Sequence, residues 1–187
     1  MDIVALIARA RDHYVEQFEA FANAQSHNCT TGSPEVKLRL GDHSALFDRL
    51  CCVDFIKNDG KTEVIELQPD RVLSFEPVLG SFGAASVTIE HLRWDDIVIH
   101  HDATELPSSG VADWFQLWFD PDDKRHNPTS RLSGIIHSLL VQPGELDIDL
   151  GSAPPEAFWD MLTLIERAGA KAIRVTSSRA GGDATSG

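Results

Sequence analysis

The side chains best suited to acid–base chemistry are two aspartates and a histidine near the end of the chain. Asp147 and Asp149 stand two residues apart in an alternating run, so a strand would present both carboxyl groups on one face. His137 stands alone in an apolar run. These groups could transfer protons in a pocket between a sheet and a first helix over 2–24. A solvent-facing strand and a hydrogen-bonded core histidine explain the same pattern without catalysis.

Two further groups have the residue types of metal ligands. His91 and His101 fall on one face of a predicted hairpin over 84–103, as diagonal neighbours about 7–8 Å apart, which is marginal for sharing a zinc ion. They belong with the first group to the candidate pocket. The run 120–123 resembles the start of a calcium loop, but two basic residues follow where a ligand and a glycine belong. We therefore predict no metal site and no cofactor.

Acidic residues are concentrated in the second half of the chain. The net charge is −13, and residues 90–123 hold nine acids against the single base Arg93. Residues 132–166 add six acids and no lysine or arginine. Because nucleic acids and anionic membranes are bound through Lys and Arg, this charge argues against both and favours a basic protein partner. The acids assigned to a partner-binding surface are Asp95, Asp96, Asp120, Asp122 and Asp123.

Three tryptophans are candidate contacts for the same partner. Seven of the ten residues in the predicted helix 110–119 are apolar, and they cover an arc of roughly 220°. Either this helix is sandwiched inside the domain, or one flank with Trp114 and Trp118 meets a partner or a second copy, which would make a homodimer. Trp94 lies in the tight turn 93–96, where it either packs back onto the sheet or forms an exposed anchor.

The cysteines and the apolar segments indicate a cellular location. Cys29, Cys51 and Cys52 are odd in number and two are adjacent, which is unlike a disulfide framework. Reduced thiols in the cytoplasm are the simplest interpretation. Charges interrupt the apolar start of the chain and no apolar run approaches a membrane span, so neither secretion nor membrane insertion is expected. The excess of arginine over lysine fits a GC-rich bacterial genome.

The elements that must position these groups begin with a run of strands. Between residues 35 and 103 the apolar pattern has period two, which predicts strands at 35–40, 45–57, 61–68, 71–78, 84–92 and 97–103. Around the turn at 58–60, Lys57 is expected to pair with Lys61 across a three-residue loop, with Gly60 at positive φ. That register places one set of side chains on a common face: Cys51, Val53, Phe55, Ile65 and Leu67.

Helices flank and follow these strands. Beside helices 2–24 and 110–119, the sequence predicts a hairpin of 134–141 and 146–151, a helix over 154–168 and a strand over 171–177. We expect an α+β fold: a mainly antiparallel sheet of about 7–9 strands, with the N-terminal helix and two further helices packed on it. Residues 1–177 are predicted to form a single domain, with a subdivision near 104–110 as the alternative, and 178–187 a disordered tail.

The sequence leaves two functional hypotheses open, beside a third in which the acidity only keeps an abundant protein soluble. The sequence contains no nucleophile elbow, phosphate loop or dinucleotide fingerprint, which favours a binding protein without excluding an enzyme. The leading hypothesis is a non-catalytic, acidic cytoplasmic protein of the chaperone, immunity or inhibitor type, which presents an acidic, aromatic-studded surface to a cationic protein. The alternative is a small-ligand-binding protein or enzyme with a pocket between the sheet and helix 2–24.

Overall fold

A long amphipathic helix opens the fold. The computed structural model describes residues 2–42, 45–125 and 127–181. Helix α1 runs from Ile3 to His27, so the helix predicted over 2–24 is confirmed and continues for three more residues. Asp2 accepts a hydrogen bond from the Val4 amide and caps a free N–H group of the first turn. The buried side chains recur at helical spacing: Leu6, Ile7, Ala10, Tyr14 and Phe18.

The first three strands form a small antiparallel sheet in the order β1-β2-β3. They are β1 (Gly32–Arg39), β2 (Leu50–Asn58) and β3 (Thr62–Ile65), and the four-residue helix α2 (Leu46–Arg49) leads into β2. A three-residue loop with Gly60 at φ 86° is present, but it lies one residue later than predicted. Asn58 pairs with Thr62, and Lys57 pairs with Glu63 instead of Lys61. A shift of two residues keeps every side chain on its predicted face.

The other six strands form one mixed sheet in the order β4-β5-β9-β6-β8-β7. Their bounds are β4 Val78–Phe82, β5 Ala85–Ile89, β6 Ile97–His101, β7 Ser138–Gln142, β8 Glu145–Asp149 and β9 Ala172–Thr176. Strand β9 lies between β5 and β6, parallel to the first and antiparallel to the second. The expectation of one mainly antiparallel sheet is therefore wrong, and so is the hairpin predicted over 84–103.

Helices cover one face of the six-stranded sheet and leave the other exposed. Helices α3 (Ser108–Phe119) and α4 (Pro155–Arg167) share a core with α1 and with alternate side chains of the sheet. The intervening side chains on the opposite face are exposed or half-buried, apart from Val98. This pattern is the usual one for a sheet with a single covered face. None of the helices in the described ranges combines the length and apolarity that crossing a bilayer requires.

Several segments differ from the sequence predictions. Helix α2 lies inside the strand predicted over 45–57, and the strand predicted over 134–141 begins only at Ser138. Residues 66–77 contain no strand, so the strand predicted over 71–78 is wrong, and β4 begins where it was expected to end. Pro69 and Pro77 lack the amide donor that a paired strand needs. Ser178–Gly181 forms a short 3₁₀ turn, while residues 182–187 of the predicted tail lie outside the described residues.

Candidate functional site

A group of buried ionisable side chains joins the two sheets. We call it the His137 cluster, and its members are Glu35, Asp54, His137, Asp149 and Ser152. The imidazole of His137 is only 1% exposed. Its Nε2 atom lies 3.1 Å from Glu35 Oε1, and its Nδ1 atom lies 3.1 Å from Asp54 Oδ1 and 3.8 Å from Asp149 Oδ2. One histidine thus faces three carboxyl groups.

Strand pairing and one unusual backbone conformation bring Glu35 and Asp54 together. Pro34 pairs with Phe55 and Val36 with Val53, so Glu35 on β1 stands opposite Asp54 on β2. Glu35 has φ 48°, a left-handed conformation that is uncommon for a residue with a side chain. Such a conformation persists only where the surroundings fix it, and here a buried carboxylate is fixed by its partners.

Backbone hydrogen bonds hold His137 from both sides. Its amide donates to the Asp149 carbonyl over 2.8 Å, and its carbonyl accepts from the Cys52 amide over 2.7 Å. Gly151 closes the third side at φ 49°, where a Cβ atom would overlap the imidazole ring. The ring therefore has little room to move, and it connects β2 of the small sheet with β8 of the large one.

Hydrogen bonds satisfy most oxygen atoms of the cluster. The Ser152 hydroxyl and the Ser133 amide both donate to Glu35. Asp54 accepts from the Leu67 amide over 2.7 Å, and Asp149 accepts from the Gly151 amide over 2.8 Å. His137 Nδ1 lies close to Asp54 but outside hydrogen-bond geometry. Buried charges are tolerated when they are paired and hydrogen-bonded in this way.

Proton affinities in the cluster are strongly shifted. Burial alone would lower the pKa of His137, but Asp149, Cys52 and Asp54 together raise that pKa well above its usual value. Burial raises the pKa of Asp149 to about 7, and the nearby Asp54 contributes. Burial would also raise the pKa of Glu35, yet hydrogen bonds led by His137 bring that pKa below its usual value. The cluster therefore retains protons at pH values where the unfolded chain has lost them.

The imidazole of this cluster is placed to hold a proton and not to exchange one with a substrate. A general base has to reach a substrate proton directly or through one water molecule, and the imidazole of His137 is sealed from solvent. Within 2–42, 45–125 and 127–181, no three His, Cys, Asp or Glu side chains are arranged to hold a metal ion. The geometry thus fits a structural and proton-binding role.

The structure divides the predicted pocket residues among four places. It brings His137 and Asp149 together, but His91 lies exposed after β5. His101 lies at the opposite end of the sheet, beside a cavity of about 410 Å³ lined also by Phe47 and α3. Asp147 lies on the exposed sheet face. Because β9 separates β5 from β6, the expected diagonal contact between His91 and His101 is wrong.

The three candidate tryptophans are buried, so the expectation of an aromatic-studded surface is wrong. Trp94, Trp114 and Trp118 are 1%, 5% and 7% exposed. Trp114 Nε1 donates to the Ala157 carbonyl over 2.9 Å, and Trp118 Nε1 donates to Asp160 over 3.1 Å. Both indoles pack against α4, which explains the wide apolar arc of α3 without a second copy of the chain.

Most of the predicted partner-binding acids have partners within the chain. Asp120 is buried at φ 50° and accepts from the Lys124 and Arg125 amides. The remaining pairs are Asp122 with Lys124, Asp123 with Lys37, and Asp95 and Asp96 with Arg179. Much of the acidity is therefore used to hold turns and loops, which the charge count alone does not reveal.

One acidic group on the exposed sheet face has less compensation. We call it the acidic sheet face, formed by Asp96, Glu145 and Asp147. Glu145 pairs with His100 over 3.0 Å, while Asp147 has no ion-pair partner in the described part of the chain. Burial raises the pKa of Asp147, and repulsion from Glu145 and Asp96 adds to it. Asp147 is thus a carboxyl group that a nearby cation would stabilise.

Sequence reasoning missed two principal members of the His137 cluster. Asp54 offered a weak signal as a charge among the apolar residues of β2, where a buried acid requires a partner. Glu35 offered no signal, because its burial depends on His137, 102 positions away.

No protein-family model, curated protein or solved structure matches this chain significantly.

Proposed function

We propose that this protein is a non-catalytic binding protein whose acidic sheet face takes a cationic segment of a protein partner. The observation that carries the proposal is Asp147, a carboxyl group without an ion-pair partner in the described part of the chain and with like charges beside it. A positive side chain placed there would relieve the repulsion among Asp147, Glu145 and Asp96. Such a surface fits a chaperone, immunity or inhibitor role with a basic partner.

The shape of this surface supports a macromolecular partner. Alternate residues of six adjacent strands point outward, so the face is broad and open, whereas small-molecule sites are concave and enclose their ligand. Exposed Leu79 and Leu140 lie on the two edge strands of the same face. Protein interfaces combine apolar contacts with polar and charged groups, and this face offers both.

The enzyme hypothesis has weaker support. In its chemically best group, the His137 cluster, the imidazole is closed to solvent and Asp149 alone is partly exposed. Its other candidates are dispersed over the fold. The larger cavities are lined mainly by apolar side chains, including one of about 430 Å³ between α1, β4 and α4. A cytoplasmic location remains a proposal that rests on the three free thiols.

A matched pair of double variants tests the proposal. Glu145→Gln with Asp147→Asn removes two charges from the acidic sheet face, and Glu105→Gln with Asp113→Asn removes the same charges from exposed positions elsewhere. Binding of an arginine-rich decapeptide, measured by calorimetry at about 50 mM salt, should weaken about tenfold in the first variant and less than about twofold in the second.

Protein capture extends the same comparison. Proteins retained from a bacterial lysate by the wild type and the control variant, lost with the face variant, and eluted at about 0.5 M salt would support a charge-steered interface. If the two variants lose the captured proteins equally, net charge alone explains the binding and the acidic sheet face has no specific role. Absence of peptide binding at low salt would overturn the proposal.

A further inference from the structure

Few polar contacts attach the small sheet to the rest of the fold. Among the described residues, one backbone hydrogen bond connects the two sheets directly, from the Cys52 amide to the His137 carbonyl. The remaining polar attachments are made at two points. Lys37 on β1 bonds to Asp123 and to the Asp120 carbonyl in the turn after α3, and the carboxyl groups of the His137 cluster meet the imidazole.

We propose that His137 is a proton-controlled pin between the sheets: the protonated cluster fixes the small sheet in place, and loss of its protons releases that sheet while the large one stays folded. The proposal goes beyond the binding function and does not depend on it. It stands on the position of one sealed imidazole among carboxyl groups from β1, β2 and β8. A charged imidazolium attracts the neighbouring carboxylates, and a proton on Asp149 removes one of the negative charges, whereas loss of both protons leaves three carboxylates around a neutral ring.

Proton exchange with solvent has a route. The carboxyl group of Asp149 is 28% exposed, while His137 beside it is sealed. The other ionisable groups around the ring come from every neighbouring element: Tyr14 of α1, Glu35 of β1, Cys52 and Asp54 of β2, Glu66 after β3, Asp95 before β6 and Asp149 of β8. None of these groups carries a positive charge, so His137 is the one cation among them.

The pKa shifts of Asp149, His137 and Glu35 determine how pH affects the attachment of the small sheet. Burial raises the pKa of Asp149 in the folded protein to about 7. Its contribution to stability is therefore complete below the pKa of an unfolded aspartate, about 3.9, and is lost as the pH rises to about 7. The raised pKa of His137 adds a contribution that is complete below about 6.5 and lost at higher pH. The lowered pKa of Glu35 has the opposite effect on stability, because this contribution is lost as the pH falls, and it acts only below about pH 4.5. Between about pH 5.5 and 8.5, alkalinity therefore weakens the attachment.

Hydrogen exchange followed by mass spectrometry distinguishes local release from global unfolding. After correction for intrinsic exchange rates, we expect peptides from residues 32–65 to lose about tenfold or more of their protection between about pH 5.5 and 8.5. Peptides from β5, β6 and β9 should change by less than about threefold. Equal loss in both sheets, or no change in the small sheet, would overturn the proposal.

Two aspartates on one strand provide the matched variants. Asp149→Asn removes a titrating member of the cluster, so protection of the small sheet should change by only about threefold over the same pH range. Asp147→Asn makes the same substitution outside the cluster, so the protection of the small sheet should keep its wild-type dependence on pH. Similar behaviour of the two variants would contradict a specific pin. His137→Gln should leave the small sheet poorly protected at both pH values, and the aspartate comparison decides the question if that variant does not fold.

Discussion

Gly151→Ala measures how firmly His137 is held. Gly151 has φ 49°, and an added Cβ atom would overlap the imidazole ring. A left-handed conformation costs an alanine about 1–2 kcal/mol. Displacing a ring in a close-packed interior costs a further 1–3 kcal/mol or so, since hydrogen bonds on both sides fix the His137 backbone. We therefore expect the free energy of unfolding to fall by about 2–5 kcal/mol.

Gly134→Ala supplies the control for the backbone conformation. Gly134 has φ 70°, but a Cβ atom there would meet nothing within 4 Å, so only the conformational cost of about 1–2 kcal/mol applies. Urea unfolding at about pH 6, followed by far-ultraviolet circular dichroism, gives both values. If the two variants lose equal stability, the ring moves aside without cost and the description of His137 as tightly held is incorrect.

The buried tryptophans lead to two further predictions. Trp114→Phe should lower the free energy of unfolding by about 1–3 kcal/mol, because the buried Ala157 carbonyl loses its hydrogen bond; a loss below about 0.5 kcal/mol in urea unfolding would contradict this account. Light scattering at high concentration should give the mass of one chain, because α3 uses Trp114 and Trp118 inside the fold. A dimer dispersed by Leu117→Asp, at an exposed position on α3, would instead support the homodimer inferred from the sequence.

Local signals predicted the elements of this fold well. The amphipathic spacing of α1 and α4 depends on neighbouring residues, and so does the hairpin predicted over 134–141 and 146–151, which the structure has as β7 and β8. Such patterns are set by the periods of helix and strand. The prediction of a strand over 71–78 failed because it relied on alternation and gave too little weight to Pro77, which cannot donate to a sheet.

Long-range pairing explains what the sequence did not predict. The position of β9 between β5 and β6 depends on hydrogen bonds across more than 70 residues, and no local pattern encodes such an insertion. The burial of Trp114 and Trp118 depends on α4, which packs against a flank of α3 that looked free. Likewise Glu35 is an ordinary strand residue until His137 is placed beside it.

Asp147 and Asp149 show why net charge alone could not locate a functional surface. They lie two residues apart on β8, and alternation assigns both to one face. The strand nevertheless ends at Asp149, where His137 and the small sheet meet its carboxyl group, while Asp147 remains on the exposed face. If both proposals hold, neutralising Asp147 weakens peptide binding and leaves the sheets attached, whereas neutralising Asp149 alters the attachment and leaves binding unchanged. If either substitution changes both peptide binding and the attachment of the small sheet, the two carboxyl groups belong to one coupled acidic surface and not to two independent sites.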